Sequence, residues 1–220
     1  TAESFLADLR IDAHRGMAYL SDAGAGGILV IDLKSGDQWM GLDRKTAQTR
    51  ASGRFIAYPH QNYTPDQPHV NGLTFSEDGR ELYFTPLLET RIFSIPLDVI
   101  SDPKMPMSQR RSRIRILAEH IHPSAGMVVR DGVIYMGDLQ GSRIMTVDIK
   151  TRSVAHLPLP MPIHWADDFA KDSQGDIWFT ESEVNIPIEK RRRYRLYRLT
   201  WQPARLRATS FAERFWRIPR

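Results

Sequence analysis

One short pattern occurs four times in this chain and constrains its fold more than any other feature. Each copy follows a Gly-containing turn and consists of an aromatic residue, an apolar or small residue, and then polar or small residues. The aromatic residues of successive copies are 64, 52 and 43 residues apart. The copies are Tyr19-Leu20-Ser21-Asp22, Tyr83-Phe84-Thr85-Pro86, Tyr135-Met136-Gly137-Asp138 and Trp178-Phe179-Thr180-Glu181. Repeats of this size built from short β-rich segments predict stacked sheet units, which are the blades of a β-propeller.

Each repeat reads as an inner strand, a turn, a second strand, a loop and a third strand. Residues 28–31 form a continuous apolar run, which is typical of a strand packed on both faces. The repeated aromatic residues occupy the same place in every copy, so we expect them in the blade core and not in a ligand box. The acids at the ends of three copies, Asp22, Asp138 and Glu181, are expected to organise the turns that follow them.

Three segments lie outside the repeat. Residues 43–68 read as a long loop or as an outer strand with a loop, residues 98–113 as a segment with a short helical turn, and residues 183–193 as an insertion. We expect a propeller domain over residues 1–200 and a docked tail over residues 201–220. Because the chain starts abruptly at an inner strand, the sequence predicts part of a larger propeller that lacks blades on the N-terminal side, since an open blade edge invites aggregation.

Composition narrows the classes of partner. The 220 residues contain no Cys, which excludes disulfides and thiolate metal sites, and no apolar run approaches the roughly 18 residues of a membrane span. The net charge of +4 comes from two Arg-rich runs, residues 110–115 and 190–195. Neither run is accompanied by an aromatic stacking platform or a recognition helix, so we expect solvated loops and no nucleic-acid partner.

Three strings in the chain resemble the major royal jelly/yellow protein family, which includes bacterial members related to L-dopachrome tautomerase. They are Gly16-Met17-Ala18-Tyr19-Leu20-Ser21-Asp22, Asn71-Gly72-Leu73-Thr74-Phe75-Ser76-Glu77-Asp78-Gly79 and Trp165-Ala166-Asp167-Asp168-Phe169. The second string is shared with the gluconolactonase/regucalcin-like propellers, which places the resemblance within that superfamily. The resemblance covers about residues 5–200 and implies an all-β, six-bladed propeller, of which this chain supplies four blades. It also implies a secreted or periplasmic location, because members are usually exported.

The starts of the inner strands are the first place to look for chemistry. They align as the triplets Ala7-Asp8-Leu9, Asn71-Gly72-Leu73, Ala125-Gly126-Met127 and Asp167-Asp168-Phe169. In the lactonase-like propellers the residues that match Asn71 and Asp167 bind a divalent cation on the axis, so the resemblance implies Ca²⁺ or another divalent ion there. Ca²⁺ takes six to eight oxygen ligands, whereas Ala7 and Ala125 offer no side-chain donor. The alternative is that Asn71 and Asp167 cap the ends of their strands.

Three histidines lie just before these strands: His69, His122 and His164. If they converge on the channel mouth, they could bind a metal, transfer protons or form an anion-binding rim. The alternative is that each imidazole binds neighbouring backbone. Trp165 beside His164 is predicted to offer an aromatic wall for a flat ligand.

These residues lead to a functional hypothesis with two alternatives. The favoured one is a channel mouth that binds a small aromatic or amine-bearing molecule and acts as a tautomerase-like isomerase. Its base is His164 or Asp167 and its acid His69 or His122, while Asn71, Trp165 and Asp168 bind substrate. The alternatives are a divalent-metal-dependent lactonase that uses Asn71 and Asp167, and a noncatalytic secreted binding protein. The sequence leaves the oligomeric state open.

Overall fold

The structure of the chain is a computed structural model, and it describes residues 2–57, 62–191, 194–202 and 205–211. The second basic run lies partly outside these residues, at 192–193, as does the end of the tail, residues 212–220. Of residues 201–202 and 205–211 only the backbone is described.

The first half of the chain forms two four-stranded antiparallel sheets, and a two-stranded ladder lies between them in sequence. The first sheet contains β1 (Leu6–Asp12), β2 (Met17–Asp22), β3 (Ile28–Asp32) and β4 (Gln38–Leu42). The ladder contains β5 (Ile56–Ala57) and β6 (Asn62–Tyr63), after a single 3-10 turn at Ala47–Thr49. The second sheet contains β7 (Val70–Phe75), β8 (Glu81–Pro86), β9 (Arg91–Pro96) and β10 (Arg115–Glu119).

The second half repeats the same arrangement twice. The third sheet contains β11 (Met127–Arg130), β12 (Val133–Asp138), β13 (Arg143–Asp148) and β14 (Val154–His156). The fourth contains β15 (Ala166–Lys171), β16 (Ile177–Glu181), β17 (Arg195–Gln202) and β18 (Arg205–Phe211), with a 3-10 turn at Ile188–Lys190 before β17. The four sheets are the blades of a β-propeller, as the repeat predicted.

Every blade has a fourth, outer strand beyond the three that the repeat predicted. In the first blade this strand is β4, so the segment after residue 43 is a loop with the short ladder β5–β6. In the last blade β18 pairs with β17 from Leu196–Phe211 to Gln202–Arg205. The fourth sheet therefore extends beyond residue 200, where the sequence placed the limit of the propeller.

The strand register aligns the four blades with one another. Leu9 pairs with Leu20 in the first blade, Leu73 with Phe84 in the second and Met127 with Met136 in the third. The fourth blade has the equivalent pair Phe169 and Phe179. Because each of these pairs joins the third residue of a triplet to the residue after a repeated aromatic, the alignment made from sequence holds in the structure.

Glycines let neighbouring inner strands approach closely. A Cβ on Gly72 would lie 3.0 Å from the carbonyl oxygen of Ala125, and a Cβ on Gly126 would clash with the carbonyl oxygen of Asp167. Residue 72 belongs to the second inner strand, residue 126 precedes the third, and residue 167 belongs to the fourth. The absence of side chains at Gly72 and Gly126 thus allows β7, β11 and β15 to lie side by side around the channel.

Three of the four aromatic residues of the repeat lie in the blade cores. Tyr19, Tyr83 and Tyr135 are all buried, and the hydroxyl of Tyr19 makes a 2.6 Å hydrogen bond with the Ser101 hydroxyl. Asp22 accepts hydrogen bonds from the backbone N–H groups of Gly24 and Ala25 in the following turn. The prediction that the aromatics form core is confirmed for the three tyrosines and wrong for Trp178, which is half-buried because its indole N–H donates to Asp172 at 2.8 Å. The prediction that Asp22 organises its turn is confirmed.

The first basic run corrects a prediction. Two short helices, α1 (Leu97–Ile100) and α2 (Met107–Ser112), follow β9 and confirm the helical turn expected over residues 98–113. Arg110 of α2 is buried, however, and donates hydrogen bonds to the carbonyl oxygens of Met40 (2.7 Å) and Asp102. The expectation of a solvated Arg loop was wrong at this residue, because its guanidinium satisfies the backbone of β4 at the blade edge. None of the helices in the described part of the chain is long and apolar enough to cross a membrane.

Candidate functional site

The acidic groups of the channel occupy the second position of the inner-strand triplets. Asp8 stands at this position in the first blade and Asp168 in the fourth, while the second and third blades have Gly72 and Gly126 there. A β-bulge precedes the aligned residue in both β1, between Leu6 and Leu9, and β15. The second inner strand, β7, has a similar irregularity between Val70 and Gly72, so the two blades that carry acids share this distortion with a blade that carries glycine.

Asp8 is held by three polar partners. Its backbone N–H donates to the hydroxyl of Ser21 at 2.9 Å, and one carboxylate oxygen accepts the backbone N–H of Leu73 at 2.8 Å. The other oxygen lies 2.5 Å from the guanidinium of Arg10. Because Leu73 belongs to the second blade, this buried carboxylate also links the first two inner strands.

Arg10 spans the channel. From β1 its guanidinium reaches the carboxylate of Asp168 at 3.3 Å and the carbonyl oxygen of Phe169 at 3.2 Å, both on the fourth inner strand. It also donates to the carbonyl oxygen of Met127 on the third inner strand at 3.2 Å. One side chain therefore joins three inner strands, which shows that they surround a common space and that Asp8 and Asp168 face it.

The proton affinity of Asp8 is unusual for a carboxyl group. Burial raises the pKa of Asp8 to about 7, and the negative charge of Asp168 acts in the same direction, while Arg10 opposes the shift. A carboxyl group with this pKa changes its charge near neutral pH, as a general acid or base must. Perturbed pKa values of this kind cluster at functional sites.

The predicted base Asp167 lies next to Asp168 on β15. Its side chain is half-buried, and burial raises its pKa, as does the charge of Asp168, against the opposing effect of hydrogen bonding with Ser182 and Trp165. Asn71 is also half-buried, and its backbone carbonyl accepts the Ser21 hydroxyl at 2.6 Å. Asp168 is the most accessible of the acids, since 66% of its side chain is exposed.

Trp165 does not form the predicted wall for a ligand. Only 3% of the residue is exposed, and it packs in a buried cluster with Leu88 and Leu139. Tyr63 of β6 covers it edge-on, with the ring centroids 5.5 Å apart. The prediction was wrong because the short ladder β5–β6, which the sequence pattern did not reveal, lies over the indole.

The three histidines before the inner strands have separate surroundings. The Nδ1 atom of His69 accepts the backbone N–H of Ala51 at 3.1 Å, and its ring borders a cavity of about 700 Å³ whose lining includes Arg44 and Arg50. Burial and the charge of Arg50 lower the pKa of His69. His122 pairs with Asp138 through its Nδ1 atom at 2.8 Å. The backbone N–H of His164 donates to Glu181 at 2.8 Å.

Asp8 and Arg10 are the residues that sequence reasoning missed. The resemblance points to the first position of each triplet, where Asn71 and Asp167 stand, and the first blade has Ala7 at that position. The signal that could have revealed Asp8 was its equivalence with Asp168 at the second position, combined with glycine at the other two. Arg10 could not be found in this way, because only the fold shows that a residue of β1 reaches the fourth blade.

Most of this chain matches the sequence profile of a known protein family. Residues 1–194 match the sequence profile described as major royal jelly protein. The chain belongs to the major royal jelly protein family. No curated protein sequence matches it at a significant level.

Solved structures similar to this family member share its fold at low sequence identity. A chain of a nidogen/laminin complex has a TM-score of 0.58 and 15% identity, over 94% of this chain and 65% of that one. A selenomethionine-substituted virginiamycin B lyase from Staphylococcus aureus has a TM-score of 0.56 and 15% identity, over 98% and 72%. A streptogramin B lyase has a TM-score of 0.53 and 15% identity, over 96% and 70%. The family member thus spans just under two thirds of the matched chain of the nidogen/laminin complex, and these likenesses show the propeller fold alone.

The residues of this family member do not fit a tight calcium site on the axis. Of the four first positions, Asn71 and Asp167 carry oxygen donors, and Ala7 and Ala125 carry none. Ca²⁺ takes six to eight oxygens, so two such groups fall well short of a protein cage. Asp8 and Asp168 cannot make up the difference in this arrangement, because both carboxylates already bind the guanidinium of Arg10.

Proposed function

We propose that this propeller binds a small, amine-bearing aromatic molecule at the channel mouth and isomerises it by proton transfer, in the manner of a tautomerase. The observation that carries the proposal is the buried carboxyl group of Asp8, whose pKa is raised to about 7 and which lies 2.5 Å from Arg10 in the channel. Membership of the major royal jelly protein family agrees with a tautomerase-like activity but does not determine it.

The charges of the channel favour an amine. Asp8 and Asp168 supply two carboxyl groups, both in contact with Arg10, and Asp167 supplies a third next to Asp168 on β15. Asp168 is largely exposed, so an ammonium group can reach it from solvent without breaking a buried contact. An ammonium group near ionised carboxylates in a partly desolvated cleft is attracted more strongly than it would be in water.

The same residues can move a proton. In its ionised form, the carboxylate of Asp8 takes a proton from the carbon next to a carboxyl or quinoid carbonyl group of the substrate. The C–H electron pair moves into the conjugated ring and onto the carbonyl oxygen, and a proton is then returned at another atom, so the product is an isomer. Arg10 lies where it can stabilise the negative charge that develops on that oxygen.

This assignment places the base at Asp8 in preference to the residues that the sequence suggested. The Nδ1 atoms of His69 and His122 bind Ala51 and Asp138, so either ring could act as the acid only through Nε2. Asn71 keeps the predicted role of orienting substrate, and Asp168 that of binding it. Asp167 is the competing candidate for the base, because its pKa is also raised by burial.

Conversion of L-dopachrome, followed by the loss of its colour, tests the proposal. We expect the rate of the wild-type chain to rise with pH through about 7 as Asp8 ionises. Asp8→Asn should lower the rate by roughly 10²- to 10⁴-fold, the usual contribution of a general base. Asp131→Asn is the matched control, because it makes the same chemical change at an exposed turn residue and should leave the rate unchanged.

Three other results would either move the base to another residue or contradict the proposal. A large loss in Asp167→Asn with full activity in Asp8→Asn would move the base to Asp167. Saturable binding of dopamine without any turnover of dopachrome would contradict the isomerase and support a noncatalytic binding protein. Hydrolysis of a lactone that disappears with a chelator would contradict the proposal in favour of the metal-dependent lactonase.

A further inference from the structure

A second cluster of ionisable side chains lies on the third blade, away from Asp8 and Arg10. It consists of His122 before β11, Asp138 at the end of β12 and His156 at the end of β14. Successive strands of this blade are antiparallel, so the start of β11 and the ends of β12 and β14 lie at the same end of the sheet. The fold therefore brings together three residues that are 16 and 18 positions apart in the chain.

Asp138 is the centre of the cluster. It is fully buried, with one oxygen 2.8 Å from Nδ1 of His122 and the other 3.2 Å from Nε2 of His156. The same carboxylate accepts the backbone N–H of Gly141 at 2.6 Å and the Nε–H of Arg143 at 2.9 Å. These last two contacts fix the plane of the carboxylate and leave the imidazoles on its remaining sides.

We propose that His122, Asp138 and His156 form a binding site for a transition-metal dication, of which Zn²⁺ is the best match. The potential ligand atoms of the three side chains lie within 4.8 Å of one another. Two imidazole nitrogens and one carboxylate oxygen are ligands that Zn²⁺ commonly takes, and three protein ligands leave its fourth position for water. Ca²⁺ and Mg²⁺ prefer sites made of oxygen, which this cluster does not provide.

The geometry needs only a small adjustment to hold the ion. Zn–N and Zn–O distances of about 2.0–2.1 Å place tetrahedral ligand atoms roughly 3.4 Å apart. The Asp138–His122 and Asp138–His156 distances are already 2.8 and 3.2 Å, so the imidazoles must move to admit an ion between them. Both can do so, because 41% of the His122 side chain and 32% of the His156 side chain are exposed.

The existing contacts of the cluster also suit a metal. When an ion binds, the proton on each coordinating imidazole nitrogen passes through solvent to the other ring nitrogen. Arg143 and Gly141 then serve as the outer partners that orient the carboxylate.

The proposed ion would join three segments that the chain keeps apart. His122 belongs to the loop that leads into the third blade, Asp138 to its second strand and His156 to its outer strand. A bound ion would therefore clip the outer strand to the start of the blade. Because the ion would bind the folded chain and not the unfolded one, it should raise the midpoint of thermal unfolding.

Calorimetric titration of the full chain with Zn²⁺, after treatment with a chelator and dialysis, tests this site. We expect one equivalent to bind wild type, and His122→Gln and His156→Gln to weaken binding by on the order of a hundredfold. His14→Gln is the matched control, since His14 is an exposed turn residue, and it should bind like wild type. With Co²⁺ in place of Zn²⁺, wild type should show the intense visible absorption of a tetrahedral site, and both cluster variants should lose it.

Two results would overturn the proposal. One is the absence of stoichiometric Zn²⁺ binding by wild type. The other is equal binding by wild type, His122→Gln and His156→Gln. Because His156 is an exposed residue of an outer strand, its variant should fold, and circular dichroism of each variant verifies this before titration.

Discussion

Asp8 is a residue whose local environment works against folding. Its carboxyl group is buried against Leu73, and burial raises its pKa to about 7. The folded chain therefore holds this proton more tightly than the unfolded chain, in which an Asp has a pKa of about 3.9. The stabilising contribution of the protonated group is complete below pH 4 and is lost as the pH rises through about 7.

Replacement of Asp8 by Asn should reveal this cost. At pH 8 we expect Asp8→Asn to raise the free energy of unfolding by about 1–3 kcal/mol, because the buried charge is removed and Arg10 keeps its contacts with Asp168 and two carbonyl oxygens. The advantage should shrink as the pH falls from 7 to 4. Urea denaturation of both proteins over this range measures it. An equal loss of stability at pH 5 and pH 8 would mean that Arg10 keeps Asp8 ionised throughout.

At the scale of elements, the close packing of the inner strands depends on two positions that have no side chain. Gly72 and Gly126 stand where the first and fourth blades have Asp8 and Asp168. Two blades thus have no side chain at this position, which lets the strands approach. The other two blades place carboxylates in the space between the strands. The channel site therefore depends both on the glycines that allow close packing and on the aspartates that supply charge.

Gly126→Ala should disturb this arrangement. The added methyl group would clash with the carbonyl oxygen of Asp167, a backbone atom that cannot move without shifting β15. We expect a loss of about 3 kcal/mol in the free energy of unfolding, at the upper end of the usual cost of overpacking. Gly53→Ala is the control, because its nearest neighbour would lie at an ordinary contact distance of 3.4 Å. Thermal unfolding that is equally affected in both variants would contradict this view of the inner strands.

Some strands could be predicted from the sequence and others could not. The inner, second and third strands follow from the repeated aromatic residues, because the core selects the same residue types in every blade. The outer strands have no such signature, since exposed edge positions such as Gln38 and His156 accept many side chains. The ladder β5–β6 is only two residues long on each side, and it determines whether Trp165 is open or buried.

At the scale of the whole molecule, four blades of a major royal jelly protein family member surround a channel lined by acids. The chain carries a net charge of +4, yet two carboxyl groups of its inner strands, those of Asp8 and Asp168, share one guanidinium. The sequence predicted the fold and the end of the inner strands at which these groups lie. It could not predict Arg10 as their common partner, because contact between the first and fourth blades exists only once the blades are arranged around an axis.

A crystal structure of the chain saturated with dopamine tests the central claim most directly. We predict that the amine nitrogen lies in the channel within hydrogen-bonding distance of Asp168 or Asp8, with the aromatic ring among the starts of the inner strands. Density for dopamine at any other place, or a channel without it at saturating concentration, would contradict the account.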